Sequence, residues 1–331
     1  MKKLINSPES VVRDMLDGMV AAHPRLLKNL PGTQIIVRAD APVSGKVGLV
    51  SGGGSGHEPA HAGYVGRGML DAAVVGEVFT SPTPDQVLKA IKAVDSGNGV
   101  LLIIKNYSGD VMNFEMAAEL AEAEGIRVAK VVVNDDVAVE NRAFTTGRRG
   151  IAGTVFVHKI AGALASRGAP LKEVERIADK VVDRVRSMGM ALTPCIVPAA
   201  GTPGFKLGQD EVEIGLGIHG EPGVHRAKLM SAKEAARILL DRILGDLGLL
   251  SGDKTAVMIN GLGATPLMEL YIVNKAVSEL LNKRGIKVYK TFVGSYMTSL
   301  EMAGCSITLL KLDEELIDLL DAPAQTVAWS Q

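Results

Sequence analysis

Aromatic residues make up only 4% of the sequence, with a single tryptophan among 331 residues. So few rings leave no stacking platform for single-stranded nucleic acid. A surplus of either charge is missing as well. The 36 Lys+Arg against 37 Asp+Glu give a formal net charge of -1, which removes the long-range attraction that a nucleic-acid binder uses. Only two cysteines occur, Cys195 and Cys305, far apart and without paired spacing. They fit reduced core thiols in a reducing compartment and cannot supply a four-ligand zinc site. No apolar run approaches the roughly 18 residues that a membrane span needs; the run Val100-Leu101-Leu102-Ile103-Ile104 stops at Lys105. The opening Met1-Lys2-Lys3-Leu4-Ile5-Asn6 starts like a signal peptide but breaks at once into Ser7, Pro8 and Glu9. The expectation is a soluble cytoplasmic protein that binds neither nucleic acid nor membrane.

What is abundant is apolar material and glycine. Hydrophobic residues reach 47% and charged residues 22%, enough for a sizeable core and incompatible with disorder. Short β-branched runs alternate with amphipathic helical patterns. Strands are expected at 34-39, 46-50, 72-75, 100-104, 127-133, 190-197, 255-259, 286-293 and 306-311. Helices are expected at 8-22, 84-95, 111-124, 154-167, 171-188, 231-247 and 266-284. Within 84-95, Val87, Leu88, Ile91 and Val94 recur at helical spacing behind Pro84, a residue suited to a first turn. Met112, Met116 and Leu120 form an i, i+4, i+8 stripe, read as core packing. Such alternation implies an α/β fold of two domains, each a mostly parallel or mixed sheet covered by helices. The irregular, Pro- and Gly-rich stretch after Met188-Gly189 suggests domains at 1-188 and 189-331. Trp329, near the terminus, is read as packing onto a groove or a partner rather than doing chemistry.

The 37 glycines concentrate in a few loops. Ser51-Gly52-Gly53-Gly54-Ser55-Gly56-His57-Glu58-Pro59 follows the expected strand 46-50. A glycine run at a strand's carboxyl end lets backbone N–H groups approach a ligand, at the edge where α/β sheets bind them. The run lacks the Lys-Ser/Thr of a P-loop and the second glycine of a nucleophile elbow. His57-Glu58-Pro59-Ala60-His61 spells H-E-x-x-H, but Pro59 belongs at a first helical position and would leave His57 outside the helix, so no metal site is expected. Lys105-Asn106-Tyr107-Ser108-Gly109-Asp110 follows the strand 100-104, with Asp110 expected as the N-cap of the next helix. The shared sheet edge makes His57, Lys105 and Asp110 a plausible polar cluster. A third segment, Gly215-Leu216-Gly217-Ile218-His219-Gly220-Glu221-Pro222-Gly223, exposes His219 between glycines. His23, His61, His158 and His225 are read as structural or surface residues.

Together the runs at 52-59, 105-110 and 217-223 resemble the dihydroxyacetone-binding subunits of dihydroxyacetone kinases. Val133-Asn134-Asp135-Asp136-Val137 and Gly147-Arg148-Arg149-Gly150 fit the same family, so the resemblance spans nearly the whole chain. It implies that a substrate carbonyl forms a covalent hemiaminal with His219. Gly54, Ser55, Gly56, His57, Lys105 and Asp110 match the positions that hold dihydroxyacetone, and His57 and Asp110 match the pair that takes the proton from its attacking hydroxyl.

The resemblance also implies a division of labour. No nucleotide-binding module and no Asp-Gly-Asp type metal-and-nucleotide motif is present, so the chain resembles the bacterial phosphoenolpyruvate-dependent type. There a partner subunit carries ADP/ATP and Mg, and a phosphocarrier subunit rephosphorylates it. This chain would then bind no cofactor itself, act as a phosphotransferase subunit and form a homodimer. Two alternatives stay open: a dihydroxyacetone-sensing coactivator of transcription, and a kinase subunit for another short ketose.

Overall fold

The computed structural model describes residues 2–139, 147–221 and 223–331, which leaves Pro222 of the third motif outside the described residues. In chain order the first half runs α1 (Val11–Ala22), β1 (Leu27–Asn29), β2 (Ile35–Arg38), β3 (Gly48–Ser55), β4 (Gly66–Arg67), β5 (Ala72–Val78), α2 (Pro84–Val94), β6 (Val100–Lys105), α3 (Ser108–Ala123) and β7 (Val128–Val133). There follow α4 (Thr154–Ser166), α5 (Leu171–Arg184), β8 (Val185–Ala191), β9 (Glu211–Ile214), β10 (His225–Lys228), α6 (Ala232–Leu247), β11 (Lys254–Gly261), α7 (Leu267–Lys283), β12 (Lys287–Gly294), β13 (Gly304–Leu312), α8 (Glu314–Asp321) and β14 (Gln325–Thr326).

Two six-stranded sheets result, ordered β1-β2-β5-β3-β6-β7 and β10-β9-β8-β13-β11-β12. In the first, β5, β3, β6 and β7 are mutually parallel, and β1 and β2 close one edge antiparallel. In the second, only β11 and β12 pair in parallel. The fold is α/β, with both sheets mixed.

Side-chain alternation sets the layers. Leu49, Leu101 and Ile103 point to one face of the first sheet, while Val50, Leu102 and Ile104 point to the other. The outer face carries α2 and α3. The inner face packs on α4 and α5, which also bury Ala256, Met258 and Leu310 of the second sheet. The second sheet's far face carries α6 and α7. Helix α4, squeezed between the sheets, is buried all round, and its sequence is apolar nearly throughout, as a helix with no solvent face requires. Gly162 is its point of closest approach, because a Cβ there would lie 2.5 Å from the Gly68 carbonyl oxygen.

Three expectations are corrected. The strand expected at 46-50 runs on to Ser55, so Gly52, Gly53 and Gly54 lie inside the sheet, paired with Val74, Val75 and Gly76, rather than in a loop. The helix expected to reach 188 ends at Arg184, and the strand expected at 190-197 is Val185–Ala191. Pairing of Val185 through Ala191 with β13 outweighs the helical pattern that continues past Arg184. Finally, Met112, Met116 and Leu120 are exposed. Helix α3 instead buries Phe114, Ala117 and Ala121, whose two alanines let it lie close to the sheet.

The C-terminal tail crosses back to the first half. β14 pairs with β4, and Trp329 packs on Phe292 and Tyr296, so the groove it fills belongs to its own chain. Among the described residues, no helix is long and apolar enough to cross a membrane.

Candidate functional site

Because β3, β5 and β6 are parallel, their carboxyl ends share one edge, the edge at which ligands bind in such sheets. Three of the expected residues arrive there from the first half, and two loops of the second half close over them.

Lys105 ends β6 and is fully buried. Its ammonium lies 3.2 Å from Asp110 Oδ2, and Ser81 donates its hydroxyl proton to Oδ1 of the same carboxylate. Gly53 is glycine for these two groups: its φ is +146°, and a Cβ there would lie 2.6 Å from Lys105 Nζ and 3.2 Å from Asp110 Oδ2. Asp110 is not an N-cap. The helix begins at Ser108 with Tyr107 as its cap, and Asp110 sits within the first turn, its side chain turned to Lys105. A capping role therefore does not explain its identity. Losing it would leave a buried ammonium unpaired, at a cost of about 3–5 kcal/mol.

His57 follows β3 and is completely buried. Its Nδ1 lies 2.9 Å from the carbonyl oxygen of Thr298. A carbonyl only accepts, so Nδ1 carries the proton and Nε2 keeps its lone pair. Among the described residues, that Nε2 has no hydrogen-bond partner. Burial, reinforced by His219 and Lys105, holds the imidazole well below its ordinary pKa, so it is neutral at pH 7. The Thr298 loop is itself built for this contact. Thr298 N donates to the His57 carbonyl, Leu300 N donates to the Gly56 carbonyl, and the buried Asn260 carboxamide accepts from the Tyr296 and Met297 amides.

His219 comes from the loop after β9. Its Nδ1 lies 2.9 Å from Glu221 Oε1, and its own amide donates to Glu221 Oε2 at 2.9 Å. Although burial pushes the Glu221 carboxyl up, the His219 hydrogen bond and charge bring it down to about 2. A carboxylate only accepts, so Nδ1 carries a proton, and in the neutral ring Nε2 keeps its lone pair. Beneath the loop, the buried pair Arg149–Asp136 anchors it, with Arg149 donating to the Gly215 carbonyl. Gly217 is needed here, since a Cβ would lie 2.6 Å from Arg149 Nη1. This accounts physically for the Asp136 and Arg149 segments singled out in the sequence.

The two imidazoles meet edge to face, 4.7 Å between centroids. Phe79 stacks on His57 at 5.2 Å, and Tyr107 meets His219 at 4.5 Å. Phe79 holds a left-handed φ of 58°, an unfavourable conformation for a bulky residue, and its ring lies where a Gly56 side chain would be. The box thus offers one open imidazole nitrogen on each side above an ion pair. It suits a small polar molecule with a carbonyl and a hydroxyl, which His219 could attack and His57 could deprotonate.

The remaining expected residues serve the frame. Ser55 donates its hydroxyl to the Gly76 carbonyl at 2.6 Å, and Gly54 lies against the Phe79–Thr80 backbone. His57 and His61 flank a turn and face different partners, His61 Nδ1 lying 3.0 Å from His158 Nε2. Both of that pair are buried, and burial drives His158 down to about 3. Among the described residues, no group of three or more His, Cys, Asp or Glu could hold a metal ion. Sequence reasoning missed Glu221, Phe79, Tyr107, Asn260 and Thr298. Only Glu221 and Tyr107 carried a signal, as polar or aromatic neighbours of motif residues.

Known proteins resemble this chain over nearly its whole length. Residues 17–328 match the Dak1 domain model. A relative from Listeria innocua, named PTS-dependent dihydroxyacetone kinase 1, dihydroxyacetone-binding subunit DhaK, is 58% identical over 330 residues, covering 99% of this chain and 100% of the relative. The native dihydroxyacetone kinase of C. freundii superposes with a TM-score of 0.92 at 38% identity, covering 99% of this chain and 60% of that one. A dihydroxyacetone kinase operon co-activator superposes with a TM-score of 0.91 at 39% identity, covering 96% of this chain and 98% of that one.

Proposed function

The chain belongs to the Dak1 domain family, and from that premise we propose that it is the dihydroxyacetone-binding subunit of a phosphoenolpyruvate-dependent dihydroxyacetone kinase. The observation that carries the reading is the pair of imidazoles, His57 and His219, whose Nδ1 atoms are engaged by the Thr298 carbonyl and the Glu221 carboxylate, in one ring-walled box with the Lys105–Asp110 pair. His219 Nε2 adds to the substrate's carbonyl carbon. The C–N bond forms as the π electrons move to oxygen, which takes a proton from solvent and ends as a hydroxyl, while the ring keeps its Nδ1 proton as an imidazolium paired with Glu221. Glu221, facing that proton, stabilises the positive charge that develops on the ring. No water leaves, so the adduct is a hemiaminal.

The anchored molecule then presents a terminal hydroxyl to a phosphoryl donor. His57 Nε2 is placed to accept its proton, since both Asp110 oxygens are already engaged by Lys105 and Ser81. Asp110 and Lys105 orient the hydroxyls. In this reading the donor nucleotide and its magnesium sit on a separate partner subunit, recharged by a phosphocarrier, and the work occurs in the cytoplasm on a homodimer. Covalent anchoring also selects carbonyl substrates over polyols such as glycerol.

The likeness to the co-activator favours one second reading, a dihydroxyacetone sensor that binds without transferring phosphate. One assay separates them: phosphorylation of dihydroxyacetone and other short ketoses, with and without the nucleotide-bearing partner. Turnover that requires the partner supports the kinase subunit. Adduct formation without turnover supports the sensor.

A further inference from the structure

Helix α3 leaves the site with a second apolar stripe turned outward. Ser108 and Gly109 are exposed at the rim, beside the buried Asp110. From Ser108 the positions i+4, i+8 and i+12 are Met112, Met116 and Leu120, exposed by 65%, 52% and 45%. They form a stripe about 12 Å long that ends about 18 Å from Ser108, at 1.5 Å per residue. The helix does not need them for its own packing, because Phe114, Ala117 and Ala121 already complete the buried face. Glu119, also exposed, lies beside the stripe next to Met116.

We propose that this stripe is where the phosphoryl-donating partner protein docks, an inference that rests on the kinase-subunit reading above. Transfer requires the donor phosphorus to come within bonding reach of a hydroxyl held between His57, His219 and Asp110. The partner's surface must therefore close over the mouth at Ser81 and Ser108–Gly109. A standard interface covers about 800 Å² on each side, a disc of radius about 16 Å. Centred on Ser108, it takes in Met112 and Met116 and stops just short of Leu120. Unbranched methionines suit a partner that must repeatedly leave to be recharged, since they repack easily. The partner face that fits is apolar, with a basic residue opposite Glu119.

A second exposed apolar face exists on α7, at Leu267, Met268, Tyr271 and Ile272. It belongs to the opposite outer layer, across both sheets from α3, and supplies the control. The test uses the full chain carrying Met112→Gln with Met116→Gln, a change that keeps helix propensity. It is titrated with the purified, ADP-loaded nucleotide-bearing subunit of the same system. The expected result is at least a tenfold rise in Kd for that subunit, with the dihydroxyacetone adduct and the sedimentation coefficient unchanged. Met268→Gln with Ile272→Gln should stay within twofold of wild type. Wild-type affinity in the α3 variant, a loss confined to the α7 variant, or an altered oligomeric state in the α3 variant would each overturn the docking surface. If the wild-type chain neither binds nor turns over with the partner, the kinase-subunit reading fails, and the docking surface fails with it.

Discussion

His57 and His219 sit in similar sequence settings, each in a glycine-rich segment, yet the fold gives them different electronic surroundings. His57 is completely buried and donates its Nδ1 hydrogen bond to a backbone carbonyl, which carries no net charge. His219, whose side chain is 18% exposed, donates its own to a carboxylate. Both tautomers leave Nε2 open. The first imidazole is held neutral by desolvation and keeps a lone pair for a proton, whereas the second can carry positive charge beside Glu221 while it bonds to carbon. A proton acceptor and a covalent anchor therefore differ less in residue type than in what stands behind the ring.

That contrast breaks most sharply at His219. His219→Ala should abolish a full-substrate mass adduct in native mass spectrometry and erase discrimination between dihydroxyacetone and glycerol. An adduct less one water, trapped by borohydride at Lys105, would instead make the lysine the anchor.

At His57 the expected loss is in rate. His57→Ala should lower kcat by about 10²–10⁴ and leave the adduct intact. Because the working form is unprotonated and its pKa lies well below the ordinary imidazole value, wild-type kcat should stay flat from pH 8 to 6 and fall only at more acid pH. A rate falling with an ordinary imidazole pKa would place the base elsewhere.

Glu221 tests the other side of the comparison. Glu221→Gln removes a charge-assisted hydrogen bond, of order 1.5–3 kcal/mol, so adduct stability should drop roughly ten- to a hundredfold. Its folded pKa of about 2 lies below the unfolded value. The stability it contributes is thus present above the unfolded carboxylate range and lost as pH falls toward 2. Thermal melts across that window should show a loss in wild type that the variant lacks.

The smallest effect belongs to Thr298. Its carbonyl, not its side chain, holds His57, so Thr298→Ala should leave kcat within about threefold. It would cost the hydroxyl's bond, made to the Glu58 carbonyl and shared weakly with the Gly56 carbonyl, of order 1 kcal/mol in a denaturant titration. A Thr298→Ala variant as slow as His57→Ala would show that the loop's position, rather than its carbonyl, governs the base.

The sequence by itself determined the α/β alternation, most element boundaries within a few residues, and the three motifs whose residues meet in the box. Such features are local: apolar periodicity, Pro84 opening a helix, and glycines at Gly53 and Gly217 where no Cβ fits. Only the tertiary structure decided what each motif does. The His57 tautomer depends on a carbonyl 241 residues away, and the ring box joins segments from both halves of the chain. Val185 becomes strand because β13 is there to pair with it. Helix periodicity places Met112, Met116 and Leu120 on one face, but which face meets water depends on where the sheet lies, and Ala117 and Ala121 allowed the closer approach. Periodicity is a property of one segment; burial and protonation are properties of whatever packs against it.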